Sequence, residues 1–246
     1  MKEFVENGNT LAMVSQWQYD GMNKLSKRVK ERELELNGGL INSAFCSGDE
    51  KVSTDIDYDC VTIGRIDKEK DPFLIHKLSG KSNLKSLVLT SAYELNSTQQ
   101  AYYDKNQHWA DPKITKYNMP YLDVMDHLSR SGVYLSTCSR ETWGITALEA
   151  FSRGVPVVLF QVAANDHKHA SEDISPGPEY YKVITAKKED QFQAAVDKLL
   201  KIDRVALSQE TKEKHSKENW LQTLYNMIDR AIENKKGYVK PISWFD

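Results

Sequence analysis

The stretch that decides the fold is Ser136-Thr-Cys-Ser-Arg-Glu-Thr-Trp-Gly-Ile-Thr-Ala-Leu-Glu-Ala-Phe-Ser-Arg-Gly-Val-Pro-Val-Val158. The apolar Val133-Tyr-Leu135 just before it reads as a buried strand. The polar residues Ser136 to Arg140 and then Glu141-Thr-Trp-Gly144 open a helix whose packed face is Ala147, Leu148, Ala150 and Phe151. Gly154 stops that helix, and Val155-Pro-Val-Val-Leu-Phe160 starts a second strand. A strand, turn, helix, strand unit places a helix N-terminus and its unpaired N–H groups at the carboxyl edge of a parallel sheet. That is where anionic ligands such as diphosphates bind.

Outward from this unit the chain alternates strand and helix patterns. Asp59 to Ile63, Leu84 to Thr90 and Ile114 to Asn118 read as strands. Asp71 to Ser79, with Pro72 near its start, and Tyr121 to Arg130 read as helices. After Phe160 a polar, proline-bearing loop runs through Pro178. It is followed by a strand, Tyr181 to Thr185, and by two helices, roughly Asp190 to Lys201 and Arg204 to Asn234. The repetition predicts an α/β fold: a Rossmann-like parallel sheet with flanking helices and right-handed crossovers.

A chain of 246 residues is long enough to bury a substantial core. Its net charge of −2 gives no global electrostatic case for nucleic acid or anionic membrane. Cys46, Cys60 and Cys138 are odd in number and widely spaced, so a reduced, cytoplasmic setting is expected rather than a disulfide framework (host cytoplasm if the protein is viral). No apolar run or leader predicts a transmembrane segment or signal peptide.

Glu141 and Glu149 stand eight residues apart, and a mostly helical span would separate them by ~12 Å. That E-x7-E spacing, the Trp143-Gly144 pair, and Glu149-Ala150 followed by Gly154-Val-Pro-Val-Val158 resemble the retaining glycosyltransferases of the GT-B fold, the glycogen-synthase-like and sucrose-synthase-like group. Upstream, Val61-Thr-Ile-Gly-Arg-Ile-Asp-Lys-Glu-Lys70 is similar to that family's G-R-x4-K signature.

The resemblance covers the C-terminal, donor-binding half of such enzymes. It divides the chain into 1–58, a remnant or short replacement of the N-terminal acceptor domain plus the crossover; 59–202, the nucleotide-sugar-binding domain; and 203–246, C-terminal helices and an aromatic tail. Within the first part, Leu11 to Trp17 is similar to the last strand of an acceptor domain and Gly39 to Ser43 to the crossover. A partner subunit supplying the acceptor half is one expectation that follows.

The resemblance also implies roles. Arg65, a fork-shaped cation, and Lys70, a mobile one, would hold the donor diphosphate as negative charge builds on it, without a metal or other cofactor. The backbone around Gly144, Ile145 and Thr146 would add N–H donors. Glu149 would accept from the ribose hydroxyls. Glu141 would hold the transferred sugar and support charge at the anomeric carbon. Asn118 and Met119, with Pro120, lie where a nucleobase packs in this family. The implied donor is a UDP-sugar such as UDP-glucose, and the acceptor is a carbohydrate, a lipid-linked molecule or modified DNA. Leu128-Ser-Arg-Ser-Gly132 is somewhat similar to T-even-phage glucosyltransferases acting on hydroxymethylated DNA. A nucleotide-sugar-binding subunit, inactive alone, is the other alternative.

Each residue also has a plainer reading. Arg65 and Lys70 can be solvated loop charges, Glu149 a solvent-facing helix residue and Trp143 a packing residue. Asp166-His-Lys-His169 with Glu172 and Asp173 has metal-like spacing but reads as a solvated loop. His108, Trp109 and His127 read as surface or satisfied core residues.

Overall fold

The computed structural model describes residues 44–109, 111, 113–138, 144–161, 170–185 and 191–234. Among the described residues, six strands, β1 (Tyr58–Ile63), β2 (Ser86–Thr90), β3 (Thr115–Tyr117), β4 (Ser131–Ser136), β5 (Val157–Gln161) and β6 (Tyr181–Thr185), form one sheet in the order β3-β2-β1-β4-β5-β6. Every neighbouring pair is parallel. Strand order grows outward from β1 to β3, then jumps back to the other side of β1. The reversal therefore lies between β1 and β4, and in such sheets a ligand crevice opens at that point outside the carboxyl ends of the strands.

The helices of the described residues are α1 (Leu74–Ser82), α2 (Ser97–Asn106), α3 (Tyr121–Ser129), α4 (Ile145–Ser152), α5 (Ala170–Ile174), α6 (Gln191–Leu199), α7 (Arg204–Lys214) and α8 (Lys217–Asn234). Alternate strand residues point to opposite faces. Leu87, Leu89, Val61, Tyr134, Val157 and Leu159 pack under α3, α4, α5 and α7, where Leu128, Phe151, Ile174 and Leu207 are fully buried. Val88, Cys60, Val133, Leu135, Val158 and Phe160 pack under α1 and α6, against Ile75, Leu78, Phe192 and Val196. Burying one such large apolar side chain stabilises the fold by roughly 1.5–3 kcal/mol. One polar group is built into the sheet centre: the Thr62 hydroxyl donates to the Leu135 carbonyl at 2.8 Å, tying β1 to β4 at the reversal.

The predicted α/β sheet is present, with Tyr181–Thr185 as expected, but several elements differ from the sequence reading. The helix expected from Asp71 begins at Leu74, because Asp71 has φ 32° and its carboxylate accepts from the Tyr102 hydroxyl. The helix expected from Glu141 begins at Ile145, with left-handed Gly144 (φ 85°) as its cap. The strand expected from Val155 begins at Val157. Val155 instead closes the end of α4, its N–H donating to the Ala150 carbonyl at 2.9 Å around Gly154 (φ 71°).

The supposed loop before Pro178 contains α5, and a 3-10 turn, Pro178–Tyr180, follows it. The single helix expected over Arg204–Asn234 is α7 plus α8. It breaks at His215, whose carbonyl accepts from the Cys46 N–H at 2.8 Å and whose ring donates to the Ile174 carbonyl at 2.6 Å. Helix α2 was missed although its sequence announces it: Asn96 and Gln99 form a reciprocal capping box. The segments Leu11–Trp17 and Gly39–Ser43 lie outside the described residues.

Candidate functional site

The turn leaving β1 is a compact, self-bonded structure. Asp67 accepts from the Lys70 backbone N–H at 2.7 Å and pairs with Arg65 Nε at 3.3 Å. Ile66 anchors the turn by full burial, while Arg65 stays 64% exposed. An exposed ion pair of this kind contributes little, so the guanidinium can exchange Asp67 for an incoming anion. Gly64 sits where a Cβ would touch the Lys70 side chain at 3.4 Å. The far end of the turn is tied to β4, because the Thr137 hydroxyl donates to the Lys70 carbonyl. The G-R-x4-K residues thus lie at the carboxyl end of β1, beside β4.

The end of β3 supplies a second wall. Asn118 is left-handed (φ 54°), its N–H donates to the Thr90 carbonyl at 3.0 Å, and its Oδ1 accepts from the Ala92 N–H at 2.8 Å. An asparagine tolerates this conformation because its side chain bonds locally. Asn118 and Met119 line a cavity of about 310 Å³ with Gly64, Arg65, Tyr93 and Val124. It is open at the carboxyl ends of β1, β2 and β3 and largely apolar at its base, which suits a flat heterocycle.

Helix α4 supplies the third part. Its first N–H groups, at Ile145 and Thr146, have no carbonyl one turn back within the helix and face the carboxyl edge. Glu149 stands in the middle of α4 among buried Ala147, Leu148, Ala150 and Phe151. Burial raises its pKa, while the Tyr121 hydroxyl, donating to Oε1 at 2.8 Å, and nearby Arg153 pull it back down. Glu149 lines a second cavity, of about 550 Å³, with Ile145, Tyr121, Arg153 and Glu50.

Of the residues singled out from sequence, Arg65, Asn118 and Met119 therefore share one cavity, with Lys70 in the adjoining turn. Glu149 and Ile145 share the other, and Gly144 caps the helix between β4 and Glu149. Glu149 is half-buried and hydrogen-bonded rather than facing solvent. Helix α4 covers Ile145–Ser152 of the E-x7-E span, and the expected separation of ~12 Å involves Glu141, which lies outside the described residues. Glu141 and Trp143 lie outside the described residues, as do Asp166 to His169. Among the described residues, no group of three or more His, Cys, Asp or Glu is placed to hold a metal.

The expectation of a surface or satisfied core residue holds only in part for His127, whose Nδ1 is buried without a hydrogen-bond partner. His127 accepts from Lys116 Nζ at 2.8 Å, and His108 pairs with the Trp109 ring at 4.9 Å. Sequence reasoning missed Tyr121 and Thr137. Tyr121 begins α3 directly after Pro120 at the carboxyl edge, a position visible in sequence, but its partner is 28 residues away.

Comparison with known proteins agrees with this architecture. No curated protein matches the chain significantly. Among solved structures, a TarM variant from S. aureus, in complex with fondaparinux, alpha-GlcNAc-glycerol and UDP, superposes with a TM-score of 0.67 at 17% identity, covering 93% of this chain and 46% of that one. HepE from Anabaena, in complex with UDP and glucose, gives 0.67 at 13%, covering 89% and 63%. The GtfA/B complex gives 0.63 at 11%, covering 90% and 45%. The chain thus spans less than two thirds of the length of each, and the likeness establishes a shared fold. A family model, glycosyl transferases group 1, matches residues 51–218, and on that match the chain belongs to the group 1 glycosyl transferases.

Proposed function

We propose that the chain binds a nucleotide-sugar donor, of the UDP-sugar class, and transfers its sugar to an acceptor hydroxyl with retention of anomeric configuration. One observation carries this reading: the Gly64–Lys70 turn and the N-terminus of α4 lie at the same carboxyl edge, beside the adjacent strands β1 and β4 where strand order reverses. Two cations and a set of backbone donors at one edge suit a diphosphate. A cavity on one side takes the base, and a carboxylate on the other takes a diol.

In this reading Arg65 and Lys70 neutralise the departing diphosphate, and the N–H groups of Ile145 and Thr146 add fixed dipoles where charge develops. Glu149 accepts from the ribose hydroxyls, and Asn118 and Met119 contact the base. Glu141 supports the transferred sugar. The departing phosphate takes the acceptor proton, and no metal is needed because the side-chain cations meet the charge. UDP bound in the TarM and HepE structures supports the choice of base. The acceptor is a carbohydrate, lipid-linked or modified-DNA hydroxyl. We place acceptor contacts in 1–58 or in a partner, the donor site in 59–202 and the closing helices in 203–246.

A second reading, a donor-binding subunit that is inactive alone, is favoured by one neighbour, which is a two-component complex. Incubating the isolated chain with UDP-glucose and UDP-GlcNAc and measuring UDP release separates the two. Release supports the enzyme, binding without release supports the subunit, and the absence of both contradicts a donor site.

A further inference from the structure

Glu149 presents two carboxylate oxygens, and the structure commits one of them. Oε1 accepts from the Tyr121 hydroxyl at 2.8 Å. Arg153 favours the ionised carboxylate through its charge, while the hydrogen bonds of Arg153 and of the neighbouring Glu50 go to other atoms. Arg153, at the end of the same helix, spends Nη1 on the Glu149 backbone carbonyl at 3.0 Å and on the Ser152 hydroxyl at 3.4 Å. On the segment before β1, Glu50 is held by the backbone N–H groups of Ser47 at 2.8 Å and Gly48 at 3.0 Å, and Asp49 accompanies it on the cavity wall. The Cys46 thiol of that segment is kept protonated by burial, which pushes its pKa up to about 12. Tyr121 itself is set by Pro120, whose extended conformation (ψ 147°) starts α3, and the residue is 58% exposed along the cavity wall.

Resting on the reading of Glu149 as the ribose contact, we infer that Tyr121 is a positioning residue for the donor site: its hydroxyl fixes Oε1 and so aims Oε2 of Glu149 at the vicinal diol of a ribonucleotide. A carboxylate flanked by buried apolar residues would otherwise be free to turn about its last torsion, which is broad for glutamate. One neutral donor removes that freedom without neutralising the charge that the diol requires. The same contact favours the ionised form, because a hydrogen bond to a carboxylate stabilises its charge against the burial that opposes it.

The test is a calorimetric titration of the full chain with UDP across about pH 5 to 8, for the wild type, Tyr121→Phe, Glu149→Gln and the double variant. Tyr121→Phe should bind UDP ~3- to 10-fold more weakly, the effect of one hydrogen bond. Its acid limb should move to higher pH, since a contact that lowers the Glu149 pKa has been removed. In the Glu149→Gln background the same change should have no further effect. An equal loss in both backgrounds, or an unmoved acid limb, would mean a merely structural tyrosine and overturn the inference. Weakened Glu149→Gln beside a silent Tyr121→Phe would sink this inference alone, whereas wild-type affinity in Glu149→Gln would remove the ribose reading and the inference with it.

Discussion

The hydroxyl of Thr137 donates to the backbone carbonyl of Lys70, joining residues 67 positions apart across the point where strand order reverses. The turn that presents Arg65 and Lys70 is thereby fixed to β4 rather than left to its own bonds. Replacing Thr137 by Val keeps the shape and deletes the donor. It should weaken UDP binding by roughly 0.5–1.5 kcal/mol, because the turn must be ordered by the ligand instead. Unchanged affinity by calorimetry would show that the turn is held by Asp67 and Ile66 alone.

Arg65→Ala and Lys70→Ala should each cost more, about 1.5–3 kcal/mol of UDP affinity, the scale of a charge-assisted hydrogen bond. The losses should shrink as salt is raised, since Arg65 is exposed and its field is screened. Adding a chelator should leave binding and turnover unaltered, and a strict requirement for magnesium or manganese would contradict the assignment of charge neutralisation to these two side chains.

Much of this architecture can be read in the sequence, and the misses have local causes. Tyr181 to Thr185 is legible because a β-branched, aromatic run is bounded by turn residues. The start of α4 is not, because the left-handed φ of Gly144 is a backbone property that a polar run conceals. The break at His215 is hidden because residues 204–234 keep a helical composition throughout. It arises from packing, as Cys46 and Ile174 engage His215 from distant segments. The two cavities are likewise tertiary: Arg65 meets Asn118, and Glu149 meets Tyr121, only once β3 and α3 are placed.

Gly154 should be the least replaceable residue of the α4–β5 turn. Its φ is 71°, and an added Cβ would lie 2.3 Å from the Arg204 carbonyl oxygen. Arg204 also donates through Nε to the Gly154 carbonyl at 3.0 Å, so neither backbone can withdraw freely. Gly154→Ala should destabilise the fold by roughly 2–4 kcal/mol, read as a lower urea midpoint. A midpoint within error of wild type would show that α7 shifts without cost.

Acid should destabilise the fold through two buried histidines. Burial depresses His76 and His215 from 6.5 to about 4, with Asp111 pushing the first back up; the Ile174 carbonyl pushes the second up and Lys214 pushes it down. A folded-state pKa below the unfolded one means that the unfolded chain binds the proton first. The stabilisation is therefore complete above about pH 6.5 and is lost as pH falls toward about 4. Urea midpoints should drop over that window, and less so in His215→Gln, which retains a donor for the Ile174 carbonyl. A pH-independent midpoint would contradict neutral burial.

The central claim, a nucleotide donor lying across the carboxyl edge with its ribose on Glu149, is tested most directly by titrating Glu149→Ala and Glu141→Ala with UDP and with a UDP-sugar. Glu149→Ala should raise the dissociation constant for both ligands, because a ribose contact is made in both. Glu141→Ala should leave UDP binding nearly intact while lowering turnover, because its partner is the transferred sugar. Loss of UDP binding in Glu141→Ala beside wild-type binding in Glu149→Ala would contradict the orientation of the donor and the account built on it.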